Sequence, residues 1–148
     1  MPFHSDIVDI TSKLDNLEGK FNAALDAAEV GIWEWDLATN ELIYDNRMMD
    51  LYELPRTSRV NYEFWRNQVH PDDLSGVEAK IKDCVEHDKP YIYWFRIKSH
   101  TNPTGWKYIK GKGRVIRDSS NKVIGMNGVN LESDCPQEFI KFNSNSPK

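Results

Sequence analysis

Cysteine is scarce in this chain. Cys84 and Cys135 are the only two in 148 residues, too few for a disulfide scaffold or a zinc site with the usual four ligands. A reducing cytoplasm is the simplest compartment for such a composition. Long apolar runs are missing too: no stretch approaches the roughly 20 residues of a membrane span. Met1–Ile10 has neither the basic nor the apolar region of a secretory signal. Positive charge is not in excess, since 19 Lys and Arg against 23 Asp and Glu give a net charge of −4. The densest basic run is Lys107, Lys110, Lys112, Arg114 and Arg117. It alternates with apolar residues as one face of a strand does, so no nucleic-acid surface is expected. The chain also lacks a phosphate-binding glycine loop, a His-Glu-x-x-His motif and a Gly-x-Ser-x-Gly elbow.

Aromatic residues are what the chain has in quantity: five Trp, six Tyr and six Phe. That content excludes a low-complexity disordered chain. The length fits a single domain, one that hides roughly two-thirds of its unfolded surface. Three parts are expected: an N-terminal amphipathic helix over 1–30, a mixed α and β domain over 31–132, and a polar tail over 133–148.

The first part spans about Ser5 to Glu29, with Ser5 as N-cap. Ile7, Ile10, Leu14, Leu17, Phe21, Ala24 and Ala28 recur at alternating steps of 3 and 4, the a and d positions of a heptad. Lys13 falls at g and Glu18 at the following e, a pairing that suits a parallel dimer. Gly19 costs about 1 kcal/mol inside a helix, and isolated helices this short are marginal. Two arrangements satisfy the stripe. One is a homodimer seam through Ile7, Ile10, Leu14, Leu17 and Phe21; the other is packing on the helix's own domain.

In the second part, Trp33, Trp35 and Leu37 alternate with Glu34 and Asp36, a strand with one buried face. Ala38-Thr39-Asn40 makes a turn in which Asn40 takes positive φ, and Glu41–Tyr44 returns as a second strand. Short helices follow over Asn46–Leu54, ended by Pro55, and over Asn61–Val69. A longer helix opens at Pro71, which needs no amide donor there. Asp72 and Asp73 complement its dipole, and Leu74, Val77, Ile81 and Cys84/Val85 form its buried face. Tyr91–Lys98, Trp106–Arg117 and Lys122–Leu131 read as three further strands, separated by the turns Thr101–Gly105 and Asp118–Asn121. Strands paired through hairpins and interrupted by helices make an α+β fold with an antiparallel sheet.

Four motifs then stand in order: Gly31-Ile-Trp-Glu-Trp-Asp-Leu37 with its Ala-Thr-Asn turn, His70-Pro-Asp-Asp73, Tyr93-Trp-Phe-Arg-Ile97 with Lys107-Tyr-Ile109, and Gly113-Arg-Val-Ile-Arg-Asp118 with Gly128-Val-Asn-Leu131. Together they resemble a PAS domain, the sensory box of signalling proteins, in the His-Pro-Asp-Asp subtype found in sensor histidine kinases and diguanylate cyclases. The resemblance implies a PAS fold with a five-stranded antiparallel sheet and helices on one face. It also implies a sensory role with no enzyme activity in this chain, an effector elsewhere in a longer protein being the catalyst. Three places depart from the family pattern. Tyr108 stands where Trp is usual, the Asn102–Gly105 turn lacks Asp-Gly, and Glu132-Ser-Asp134 replaces an Asp-Ile-Thr ending.

Haem and a photoactive flavin are not expected, and no metal site is. The long helix offers only His87 to a haem, at its C-terminal end, and Asn61–Arg66 has no cysteine where flavin-binding relatives carry one. By strand alternation Tyr91, Tyr93, Phe95 and Ile97 share a face with Ile109, Gly111, Gly113 and Val115 and with Met126, Gly128 and Asn130. The resemblance implies that this face is concave. Its glycines would then leave volume, and Asn130 would be a polar anchor among aromatics. Tyr93, Phe95, Ile109, Met126 and Asn130 are the pocket candidates. A small organic ligand of unknown identity and a filled core without one are both open. On the opposite face Trp94, Trp106, Tyr108 and Ile116 need a cover, which the N-terminal helix or a second subunit would supply. A rival class is a small cone-shaped α+β enzyme using His70 beside Asp72 and Asp73, which requires His70 inside the cavity.

Overall fold

The computed structural model describes residues 2–133, with side chains from residue 7 onward. The expected tail beyond Ser133 lies outside them. Helix α1 (Pro2–Ala28) leads into strand β1 (Val30–Asp36) and its hairpin partner β2 (Glu41–Tyr44). Helix α2 (Asn46–Leu51), strand β3 (Val60–Asn61) and helices α3 (Tyr62–Gln68) and α4 (Pro71–His87) come next. Strands β4 (Tyr91–Lys98), β5 (Trp106–Arg117) and β6 (Val123–Glu132) close the domain. The sheet order is β3-β2-β1-β6-β5-β4, antiparallel throughout.

The sheet has six strands where five are expected. The additional one is β3, whose two residues pair with Glu41 and Leu42. Two residues carry no readable alternation, so Asn61 reads instead as part of the following helix. It is the N-cap of α3, its Oδ1 accepting from the Phe64 N–H at 2.8 Å. The turn at Asn40 is as expected, with φ +63°. Helix α1 begins before Ser5, which therefore lies within it rather than at its cap.

Two carboxylates fasten helices to the sheet. Asp73, 4% exposed, accepts from the Arg96 backbone N–H and from its guanidinium, each bond at 2.9 Å. Asp73 therefore serves as the anchor of α4 on β4 as well as a partner of the helix dipole. His70 is the N-cap of α4: its Nδ1 accepts from the Asp72 N–H at 3.0 Å, and its ring lies 4.3 Å from that of Trp106. The second charge is Glu53, in the left-handed region at φ +58° just after α2. Its carboxylate accepts from Ser99 Oγ at 2.6 Å and the His100 N–H at 2.7 Å, and Lys107 Nζ lies at 3.0 Å. Lys107 also donates to the Leu51 carbonyl at 2.8 Å. This network ties the end of α2 to the β4–β5 hairpin and offsets the cost of a strained backbone.

Helix α1 does not cover the sheet. Ile7, Ile10, Leu14, Leu17 and Phe21 are all between 57% and 63% exposed, and Lys13 pairs within the helix with Asp9. The self-packing arrangement is absent. On the face opposite the helices, Trp94, Trp106, Tyr108 and Ile116 are only half-buried, with Lys110 Nζ 4.8 Å above the Trp94 ring.

Candidate functional site

Between the sheet and the helices lies a cavity of about 40 Å³, room for about three waters. Trp33 and Trp35 reach it from β1, Leu42 and Tyr44 from β2, and Met48 from α2. Tyr62, Trp65 and Ile81 come from α3 and α4, Tyr91 and Phe95 from β4, and Met126 and Asn130 from β6. Three of the five expected pocket residues, Phe95, Met126 and Asn130, line it. Tyr93 and Ile109 are buried on the same face, 3% and 0% exposed, yet do not line it. Tyr93 runs under α4, its hydroxyl filling the place where a side chain at Gly76 would stand.

The glycines do not leave the volume expected of them. Trp33 is the cross-strand partner of Gly128, which in turn faces Gly113. A Cβ on Gly113 would come within 2.8 Å of the Trp33 ring, and one on Gly128 within 2.7 Å. The two glycines form a floor on which the indole lies, so the volume is occupied by Trp33.

Aromatic contacts order the walls. Trp35 and Tyr62 stack with centroids 4.8 Å apart, and Trp65 meets Phe95 edge-on at 5.9 Å. Asn130 donates from Nδ2 to the Tyr52 hydroxyl at 3.0 Å, so its amide is held by a side chain rather than by backbone. Burial pushes the phenols of Tyr44, Tyr52 and Tyr91 well above their ordinary pKa. Burial, and then the hydrogen bond to Glu78, does the same to Tyr62. These hydroxyls stay neutral across the physiological range. Among the described residues, the indole N–H groups of Trp33 and Trp35 are buried without an acceptor. The alternation of β1 marked both residues as inward-facing, and the 3,4 spacing of α4 marked Ile81; Met48, Tyr62 and Trp65 gave no such signal.

His87 is 61% exposed at its side chain, with Nδ1 2.8 Å from Asp83, and is not among the lining residues, so the axial haem ligand weighed from the sequence does not fit. His70 caps α4 and is not among the lining residues, so the placement that the His70 enzyme requires is not met.

The cavity is linked to α1. Met48 lines it, and the preceding residue, Arg47, donates to the Asp26 carboxylate, to the Asn22 carbonyl at 3.0 Å and to Asp45 at 3.0 Å. Leu25, half-buried, sits in the groove beside Ile32 and Ile43. An Arg47→Ala change is expected to leave the core intact but to speed amide exchange at Leu25–Glu29. Unchanged exchange there would show that Leu25 alone holds the helix.

Residues 45–130 match the family model described as PAS fold. The probable diguanylate cyclase DgcE of Escherichia coli K12 is 30% identical over 113 residues, 76% of this chain and 10% of that protein. The sensor protein FixL of Bradyrhizobium diazoefficiens is 25% identical over 126 residues, 84% of this chain and 25% of that protein. The chain thus spans a tenth and a quarter of these curated relatives. Among solved structures, a sensory box histidine kinase/response regulator from Burkholderia thailandensis superposes with a TM-score of 0.64 at 21% identity. That match covers 84% of this chain and 92% of the other.

Proposed function

This chain belongs to the PAS family of signal-transduction sensor domains, and on that premise we propose that it works as a homodimer whose cavity answers a small ligand and whose α1 carries the response to an effector. The effector would be of the histidine kinase or diguanylate cyclase kind, as in the named relatives, and catalysis would belong to it. A cytoplasmic setting suits the buried free thiol of Cys84. No helix among the described residues is long and apolar enough to cross a membrane.

The observation that carries the reading is the exposed heptad seam. Five large apolar side chains stand in one stripe on a helix that, among the described residues, is joined to its domain near its C-terminal end. Burying that stripe against a second copy is the coiled-coil solution. The triple substitution Ile10→Asp, Leu14→Asp, Leu17→Asp is expected to halve the mass in solution and leave the sheet signature of circular dichroism unchanged. A variant that keeps the wild-type mass, or a monomeric wild type, would remove α1 as the contact. Native mass spectrometry of protein purified without added ligand tests the other half. Retained excess mass supports a ligand, whereas a bare dimer favours a ligand-free relay, the reading that the small cavity volume supports.

A further inference from the structure

None of the residues lining the cavity is an acid, a base or a histidine. A charged guest would lose its hydration there and meet no counter-charge. The walls supply several polar groups, among them the Tyr44 and Tyr91 hydroxyls and the Trp65 indole N–H. Asn130 Nδ2 and the Tyr62 hydroxyl already have partners, Tyr52 and Glu78. The indole N–H groups of Trp33 and Trp35 are buried with no partner among the described residues. A buried donor without an acceptor is costly and uncommon, and here two occur on rings that border the same small cavity.

We propose that the cavity selects an uncharged molecule bearing a hydrogen-bond acceptor, such as a carbonyl, ether or ring nitrogen, which the Trp33 and Trp35 N–H groups satisfy. This assignment of ligand class rests on the ligand-sensing reading above. The apolar remainder of the guest lies against Phe95 and Met126. Met48, an unbranched and adaptable side chain, is the wall that yields to a guest larger than the present volume.

Three near-isosteric probes separate the possibilities: acetone, an uncharged acceptor; acetate, an anion; and isobutene, which has no acceptor. Each is titrated into ¹⁵N-labelled dimer while the indole N–H signals are followed. Trp33→Phe and Trp35→Phe variants assign two of the five tryptophans. Acetone is expected to shift the Trp33 and Trp35 signals saturably and acetate to leave them in place. Loss of one donor in Trp35→Phe should weaken acetone about 3- to 10-fold, the worth of one hydrogen bond. If that variant does not fold, the wild-type indole shifts decide alone. Isobutene binding with acetone silent at both indoles would overturn the acceptor requirement and leave a ligand cavity. Acetate binding as well as acetone would overturn neutrality. If no probe perturbs any cavity resonance, the ligand-sensing reading fails and the class assignment with it.

Discussion

Replacing Lys107 with methionine is expected to lower the melting temperature at pH 7 by about 10 °C. The change removes one partner of an ion pair whose side chains are 10% and 13% exposed and leaves Glu53 charged in place, a loss of about 3 kcal/mol, at about 3 to 4 °C per kcal/mol for a domain of this size. The effect should depend on pH. Burial alone would raise the Glu53 carboxyl, but bonds from Ser99, Lys107, the His100 N–H and Thr101 outweigh it and bring the pKa to about 2, against 4.5 ordinarily. A carboxyl depressed in this way stabilises the fold fully above its unfolded pKa, and that contribution is lost as pH falls through the folded value. Wild type and Lys107→Met should therefore differ most above pH 4.5 and converge toward pH 2. Melting curves across that range check this, and a gap independent of pH would show that Lys107 acts through packing alone. The double variant Glu53→Gln, Lys107→Met should be less damaging than the two single losses added together.

A single methyl group at Gly128 is expected to cost more than about 4 kcal/mol, the range reserved for substitutions that a core cannot absorb. Its Cβ would stand 1.8 Å from the Lys112 carbonyl oxygen and 2.7 Å from Gly113 Cα. Those are backbone atoms of the neighbouring strand, so β5 and β6 would have to part. Against a total stability of about 5–15 kcal/mol, Gly128→Ala should leave little folded protein at 37 °C. Gly19 is the contrast: exposed on α1 with nothing within 4 Å of an added Cβ, it should accept alanine with a gain of up to about 1 kcal/mol in helix stability. Thermal melts of the pair test both statements, and equal melting temperatures would discredit the strand contact.

The strands that fix the cavity floor were legible because period-two alternation and turn chemistry mark them independently. Tyr91–Lys98 and Trp106–Arg117 fall where those signals place them. Phe95, Met126 and Asn130 follow from the same alternation. Tyr93 shares their face, and only the docking of α4 decides that it packs under the helix instead. Ile81 was marked by the spacing of the α4 buried face, but which other helix side chains complete the wall is a long-range matter, so Met48, Tyr62 and Trp65 carried no local mark of it. Gly113 and Gly128 were readable as small residues on the concave face. That they receive Trp33 depends on the register of three strands, which no single segment encodes. The His-Pro-Asp-Asp motif was legible as a helix start, but the buried bond from Asp73 to Arg96 was not, because its partner lies 23 residues away.

The attachment of α1 has a mechanical consequence. The helix is gripped at Asn22–Asp26 by Arg47 and turns at Glu29, whose φ is +56°, while its exposed apolar stripe extends back to Ile7. At 1.5 Å per residue the arm from Leu25 to Ile7 is about 27 Å long. A tilt of about 5° at the grip would swing the far end by about 2 Å, comparable to the helix shifts that switch subunit interfaces. A displacement of Met48 too slight to disturb the sheet would thus arrive at the far end of the apolar stripe enlarged, and the length of the arm sets the gain.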